Sequence, residues 1–213
     1  MPNCGQLFLT SFVLILNEES LVKLVILGGV SNAGKSITIR YATKYLGIKP
    51  DISIKFIKKP FKNMRKDFTI NNIPVYIFCS SPQEMSQGKV QKCRTIFKNR
   101  LKGKKTNSLV IMPFNLESKY EKATEACLKE IDNDLKENSY LIFLNAGVTN
   151  NGQAKSKFVE LKKRGYLIIG EIQRIEHGED EQGKMFADYV KEQLPTQILP
   201  QVIKPEIFID SCT

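Results

Sequence analysis

An α/β fold with a doubly wound, mainly parallel sheet and helices on both faces is predicted by three observations. From Leu24 onward, short apolar runs alternate with stretches of helical period, the pattern of β–α units that build a parallel sheet. A glycine-rich turn, Gly29 to Ser36, separates the first apolar run from the first helical pattern, so a strand leads directly into a helix. A length of 213 residues with 42% hydrophobic content suits one domain with a proper core. We read residues 21–213 as that domain and residues 1–20 as an apolar N-terminal segment packed on it.

The N-terminal run Leu7 to Leu16 is too short to span a bilayer, has no Lys or Arg before it and is followed by no small-residue cleavage site. It reads as a buried or edge strand, or as an amphipathic tail. Leu24 to Leu27 form the first strand. Beyond the turn, Ile37, Tyr41, Ala42, Tyr45 and Leu46 recur at helical spacing, and Gly47 and Pro50 stop the helix. A β-hairpin is expected next, because Phe68–Ile70 and Val75–Phe78 flank the turn-forming Asn71-Asn72-Ile73-Pro74. Ser81-Pro82-Gln83-Glu84 reads as a capping box opening a helix with Val90, Cys93, Phe97 and Leu101 on one face. Ser118 and Glu121 form a second such box after the strand Leu109–Phe114. It precedes a helix with Tyr120, Ala123, Cys127, Ile131 and Leu135 on one side. Strand Leu141–Leu144, a basic helix with Phe158 and Leu161, strand Leu167–Ile172 and a helix with Met185, Phe186, Tyr189 and Val190 follow. A short strand at Ile207–Ile209 ends the series.

The net charge of +10 and a pI near 9.3 point to an anionic partner. Five widely spaced cysteines and one histidine, His177, argue against a disulfide framework, a zinc site and histidine-based triads, and make a reduced, cytoplasmic setting the expectation. The chemistry concentrates at Gly29-Val30-Ser31-Asn32-Ala33-Gly34-Lys35-Ser36, a full G-x-x-x-x-G-K-S match. Glycines let the backbone turn tightly and approach an anion. N–H groups at the start of the next helix then point at phosphates. In such a turn Lys35 can reach the β- and γ-phosphates, and the Ser36 hydroxyl can bind Mg²⁺.

This stretch resembles the Walker A loop of the P-loop NTPase superfamily. The resemblance implies the P-loop NTPase fold, a nucleotide (ATP or GTP) with Mg²⁺, and nucleotide contacts from Gly29 through Ser36 and from Ile37. It covers about 25 residues and names no reaction. Phe68 to Glu84 is also similar to the hairpin and second switch of small GTPases, with Gln83 as its water-orienting residue. Here Cys79 replaces that family's Asp, Pro82 replaces its Gly, and no Asn-Lys-x-Asp follows Leu144.

Turnover in a P-loop protein usually needs a strand-end carboxylate for Mg²⁺, yet no central strand here ends in Asp; Ile207-Phe208-Ile209-Asp210 lies near the C-terminus. Glu84 is the catalytic candidate on one side, with a capping role as the competing reading. Asn145 is a candidate sensor of the γ-phosphate, against a turn-forming role. Asn115 and Glu117 are placed alongside them. Basic residues cluster at Lys55–Lys66 and at Lys89–Lys105, interleaved with Phe56, Phe61 and Phe97; such segments suit a nucleic-acid backbone, a solvated helix face, or a lid in which Arg94 or Arg100 reaches the nucleotide. The leading expectation is a Mg²⁺-dependent ATP hydrolase coupled to a nucleic-acid or protein partner. A small-molecule or nucleotide kinase, and a nucleotide-binding switch with weak hydrolysis, are the alternatives.

Overall fold

The strongest signal in the sequence, the alternation of apolar runs with amphipathic stretches, becomes a six-stranded sheet in order β2-β3-β4-β1-β5-β6. A computed structural model describes residues 22–48, 57, 65–70, 72–104, 107–147 and 151–193. The expected N-terminal strand, most of the Lys55–Lys66 segment, and the Ile207–Asp210 strand lie outside the described residues.

Strand β1 (Lys23–Gly29) lies at the centre, parallel to β4 (Leu109–Asn115) on one side and β5 (Ser139–Asn145) on the other. Leu24, Val25, Ile26 and Leu27 are all buried, as is every residue from Leu109 to Asn115. Consecutive buried residues on a strand mean both faces are covered, which is why these strands read as continuous apolar runs instead of alternating ones. The edge strand β6 (Leu167–Gln173) pairs parallel with β5 and is half-buried or exposed except at Ile172.

The expected hairpin forms from β2 (Arg65–Ile70) and β3 (Ile73–Phe78), the only antiparallel pair in the described sheet, with Asn72 in a left-handed conformation (φ 64) at the turn. Its position differs from that of a strand that flanks the glycine-rich turn directly. β3 pairs with β4, and β4 separates it from β1. That pairing ends at Ile111, before Pro113, whose ring nitrogen has no hydrogen for a ladder. The C-terminal end of β4 is therefore free of β3.

Helix α1 (Lys35–Ala42) follows the glycine-rich turn. It packs along α6 (Glu179–Glu192), where Gly183 makes the crossing close: a Cβ there would lie 2.5 Å from Tyr41 Cβ and 2.8 Å from the Ala42 nitrogen. Asp180 ties the turn just after α1 to α6 by accepting from Lys44 at 2.6 Å and Tyr45 at 2.7 Å.

The sequence suggested one helix after Ser81, but two are present, α2 (Pro82–Met85) and α3 (Val90–Leu101). Gln87 (φ 53) and Gly88 (φ 74) break the turn between them, and left-handed backbone cannot continue a right-handed helix. Cys93 and Phe97 are buried as expected, whereas Val90 is exposed and Arg100 takes a buried place. The second capping box does not form either. Ser118–Tyr120 make a 3-10 turn, and α4 (Glu121–Asp134) starts from Tyr120 with no side-chain cap. Ala123, Cys127 and Ile131 bury its inner face. Helix α5 (Asn151–Lys163) joins α4 through Lys157 to Glu125 and through Arg164 to Glu125 and Asp132. The whole is an α/β architecture with a mostly parallel sheet, consistent with a doubly wound fold. Among the described residues, no helix is long and apolar enough to cross a membrane.

Candidate functional site

The Gly29–Ser36 turn leaves the C-terminal end of β1 and enters α1. Two of its glycines are required for different reasons. Gly34 has φ 94, left-handed backbone that a side chain resists. Gly29 is a packing requirement, since a Cβ would stand 2.8 Å from the Leu144 carbonyl of β5. Asn32, at the exposed tip, is also left-handed with φ 58. Gly34 caps α1 without any side-chain hydrogen bond, and the first turn of the helix holds no acidic residue. The first N–H groups of a helix have no partner within it, so the positive end of the α1 dipole faces this turn.

Lys35 is 4% exposed and folds back over the turn, donating to the Gly29 carbonyl at 3.2 Å and to the Val30 carbonyl. Burial lowers its pKa to about 8, opposed by the negative charges of Glu84 and Glu117. Residues Asn32 to Ile37 and Glu84 line a cavity of about 430 Å³. Ser36 and Ile37 are half-buried on its wall.

The end of β4 supplies the polar core of the site. Asn115 is fully buried; its amide donates to Ser31 Oγ at 2.7 Å and to Glu84 Oε1 at 3.0 Å, and its Oδ1 accepts from the Glu117 N–H at 3.0 Å. Glu117 accepts from the Ser31 N–H at 2.8 Å through Oε1 and from the Ser31 hydroxyl at 3.0 Å through Oε2, which also lies 2.8 Å from the Lys119 ammonium. These hydrogen bonds hold its carboxyl below the usual range in spite of partial burial. One asparagine thus contacts a loop serine, the Glu84 carboxylate and the Glu117 backbone.

Glu84 reaches this site because α2 starts where the sequence placed it. Ser81 Oγ accepts from the Glu84 N–H at 3.1 Å, which is half of a capping box. The other half would turn the carboxylate back to the Ser81 backbone; here it faces Asn115 and the cavity instead.

Other sequence candidates are placed elsewhere. Asn145, at the end of β5, gives its amide to Glu171 at 2.8 Å and accepts from the Gly147 N–H at 3.2 Å, a turn-stabilising arrangement outside the lining of the cavity. Gln83 is fully buried between β4 and α4, with Thr124 Oγ1 at 3.4 Å and the Asn115 N–H at 3.5 Å; it has no access to a water that it could orient. Cys79 is buried and its thiol is pushed up to about 12, so it stays neutral and supplies no anionic ligand in place of Asp. Arg100 is no lid. It is buried with its guanidinium 4.7 Å from the Phe78 ring and donates to the Ser80 carbonyl at 2.8 Å. Arg94 pairs with Glu130. His177 stands exposed with φ 56, outside the cavity.

Sequence reading missed Arg174. Just beyond β6, its N–H donates to the Asn145 carbonyl at 2.8 Å and its guanidinium reaches the Asn32 carbonyl at 3.4 Å, which brings an exposed cation to the tip of the turn. It had no signal in the sequence, because only strand order brings β6 within reach of Asn32.

Beside this site, a second cavity of about 540 Å³ lies between the start of α4 and α5, with Glu117 common to its wall and to the Ser31 contact. Among the described residues, no group of three His, Cys, Asp or Glu side chains converges as a metal cluster. No family model matches the chain, and no curated protein matches it.

Proposed function

We propose that the chain is a P-loop nucleoside triphosphatase, acting on ATP or GTP with Mg²⁺. The observation that carries this reading is the uncapped start of α1 beside the buried ammonium of Lys35. An unpaired set of helix N–H groups and a desolvated cation converge on one cavity, and a chain of phosphates satisfies both. Lys35 now rests on carbonyls of its own turn, weak partners that an anionic phosphate outcompetes.

The residues present also fit Mg²⁺. This ion is usually held by one or two carboxylates plus substrate phosphates, not by a protein cage, so a cluster of acids is not required. Ser36 would supply a hydroxyl ligand beside the substrate phosphates and water; Glu84 lies on the same cavity wall and is kept as the base, because a carboxylate bound to the ion could not take the water's proton. When bound, the ion neutralises charge on the phosphates.

The chain's own groups then divide the chemistry. The α1 N-terminus and Lys35 hold the phosphates and stabilise charge as it develops. Glu84, fixed by Asn115, accepts a proton from the attacking water; the new oxygen–phosphorus bond forms as the bond to the diphosphate leaving group breaks. Arg174 is the cation placed to meet the nucleotide from the β6 side.

A second reading, phosphoryl transfer to a small acceptor, is favoured by the cavity on the far side of Glu117. In that case Ser118, Gln153, Ser156 and Lys157 would face the acceptor.

The test is phosphate release from ATP and from GTP with Mg²⁺, for the parent and Lys35→Ala. Release by the parent that the variant lacks supports the hydrolase. Tight nucleotide binding without release moves the assignment to the acceptor reading, and equal nucleotide binding by both proteins overturns the P-loop assignment.

A further inference from the structure

The Ser31 donors are already engaged. Both the backbone N–H and the hydroxyl of Ser31 point at one carboxylate, that of Glu117, at 2.8 and 3.0 Å. A carboxylate taking two donors of a glycine-rich turn occupies the kind of place a phosphate takes. Glu117 is also close enough to Lys35 to support its charge, as is Glu84. Lys35 is the residue that would meet the terminal phosphates. A nucleotide bound through α1 and Lys35 therefore brings its last phosphate toward two carboxylates, one of them hydrogen-bonded to the turn itself.

Resting on the nucleotide reading above, we infer that Glu117 sets the preference of this site between nucleoside diphosphates and triphosphates. Its carboxylate holds the Ser31 donors against the γ-phosphate, so that a triphosphate binds fully only by displacing it, whereas a diphosphate leaves it in place.

The surroundings fit a displaceable group. Glu117 sits on the short connection between β4 and the 3-10 turn. That connection is anchored by the Leu116 N–H to the Gly29 carbonyl at 3.0 Å and by the Glu117 N–H to Asn115. The backbone is thereby tied to the turn, so the carboxylate can exchange its Ser31 contacts without moving the chain. Lys119 already pairs with it at 2.8 Å and would keep it paired once Ser31 is given up, and the 540 Å³ cavity that Glu117 lines gives it room. Displacement also changes the wall of that cavity, so the number of phosphates bound is communicated to the α4–α5 side of the molecule. Glu84 differs in its partner: its carboxylate is held by the buried Asn115 amide and, among the described residues, by no donor of the turn.

The experiment measures the affinities of ADP and of a non-hydrolysable ATP analogue, each with Mg²⁺, for the parent, Glu117→Gln, Glu117→Ala and Lys35→Ala. Thermal unfolding confirms that each variant is folded. Removing one nearby negative charge is expected to raise analogue affinity about tenfold, with ADP affinity changed less than about threefold. Both Glu117 variants should show the same change in ratio. If Lys35→Ala abolishes binding but the analogue-to-ADP ratio is the same in parent and Glu117 variants, the role of Glu117 is overturned while the nucleotide reading stands. If the parent binds neither nucleotide and the Glu117 variants also bind neither, both fall. If the parent fails to bind the analogue and the Glu117 variants bind it, the inference is upheld in its strongest form.

Discussion

Lys35 carries two opposed roles, and they make separable predictions. Its burial holds the pKa near 8 against an ordinary value of 10.5, so the charged lysine is disfavoured in the folded state. The unfolded chain binds the proton more tightly, and folding stability attributable to this group rises as pH goes from about 8 to 10.5. Lys35→Met should therefore raise the stability of the nucleotide-free protein at pH 7, by as much as roughly 3 kcal/mol, with the gain disappearing above pH 10.5. Denaturant titrations at pH 7 and pH 11 decide this; a variant less stable than the parent at pH 7 would contradict it. The same substitution, like Lys35→Ala, should abolish nucleotide binding. Glu84 makes the complementary prediction. Glu84→Gln keeps the Asn115 contact but removes the proton acceptor, and should lower the turnover rate by about 10²-fold or more with little change in KM. A rate within threefold of the parent would leave Glu84 as only the third residue of a helix cap.

At the scale of elements, the geometry of the site depends on where α1 is held. Gly183 of α6 lies against Tyr41 and Ala42 with no room for a Cβ. Gly183→Ala should push the two helices apart, cost about 1–3 kcal/mol in stability, and weaken nucleotide binding by moving the α1 N-terminus. Unchanged nucleotide affinity in a destabilised variant would separate the packing from the site. This contact also shows what the sequence conveyed and what it did not. The glycine-rich turn, the four strand–helix units and the hairpin were legible because local spacing and turn chemistry determine them. The break at Gln87-Gly88 was missed because the apolar stripe that begins at Val90 was carried back to the cap at Ser81, across a glycine that ends the first helix. The Ser118 cap was expected and does not form, because the chain tightens into a 3-10 turn just after Glu117 reaches Ser31. Strand order was beyond local reading altogether. Only the insertion of β4 between β1 and β3 sets Asn115 beside the turn, moves Gln83 into the core, and leaves Asn145 facing Glu171. Asn115 and Glu117 were noted in the sequence, but their joint hold on Ser31 and Glu84 is a product of that order.

For the whole molecule, the excess of positive charge raises the question of a nucleic-acid partner, and the described surface limits the answer. Within Lys89–Lys105, Arg94 and Lys98 both meet Glu130, and Arg100 is buried against Phe78. Lys89, Lys92 and Lys102 are the exposed basic residues along α3 and its ends that remain to face a backbone. Neutralising about three phosphates gives a slope of roughly −3 for log affinity against log salt. Affinity at physiological salt should then stay in the non-specific range, weaker than about 10⁻⁶ M. Binding of single- and double-stranded DNA between 50 and 200 mM salt measures that slope, and Lys92→Ala with Lys102→Ala should flatten it by about two. A steeper slope that survives those substitutions would assign the contact to other basic residues, Lys55–Lys66 first among them. Adding the same nucleic acids to the phosphate-release assay connects the two ends of the molecule. Stimulation that is lost in the double lysine variant would make α3 the coupling element. It would reach the phosphates along a short route, through the Gln87-Gly88 break into α2 and so to Glu84.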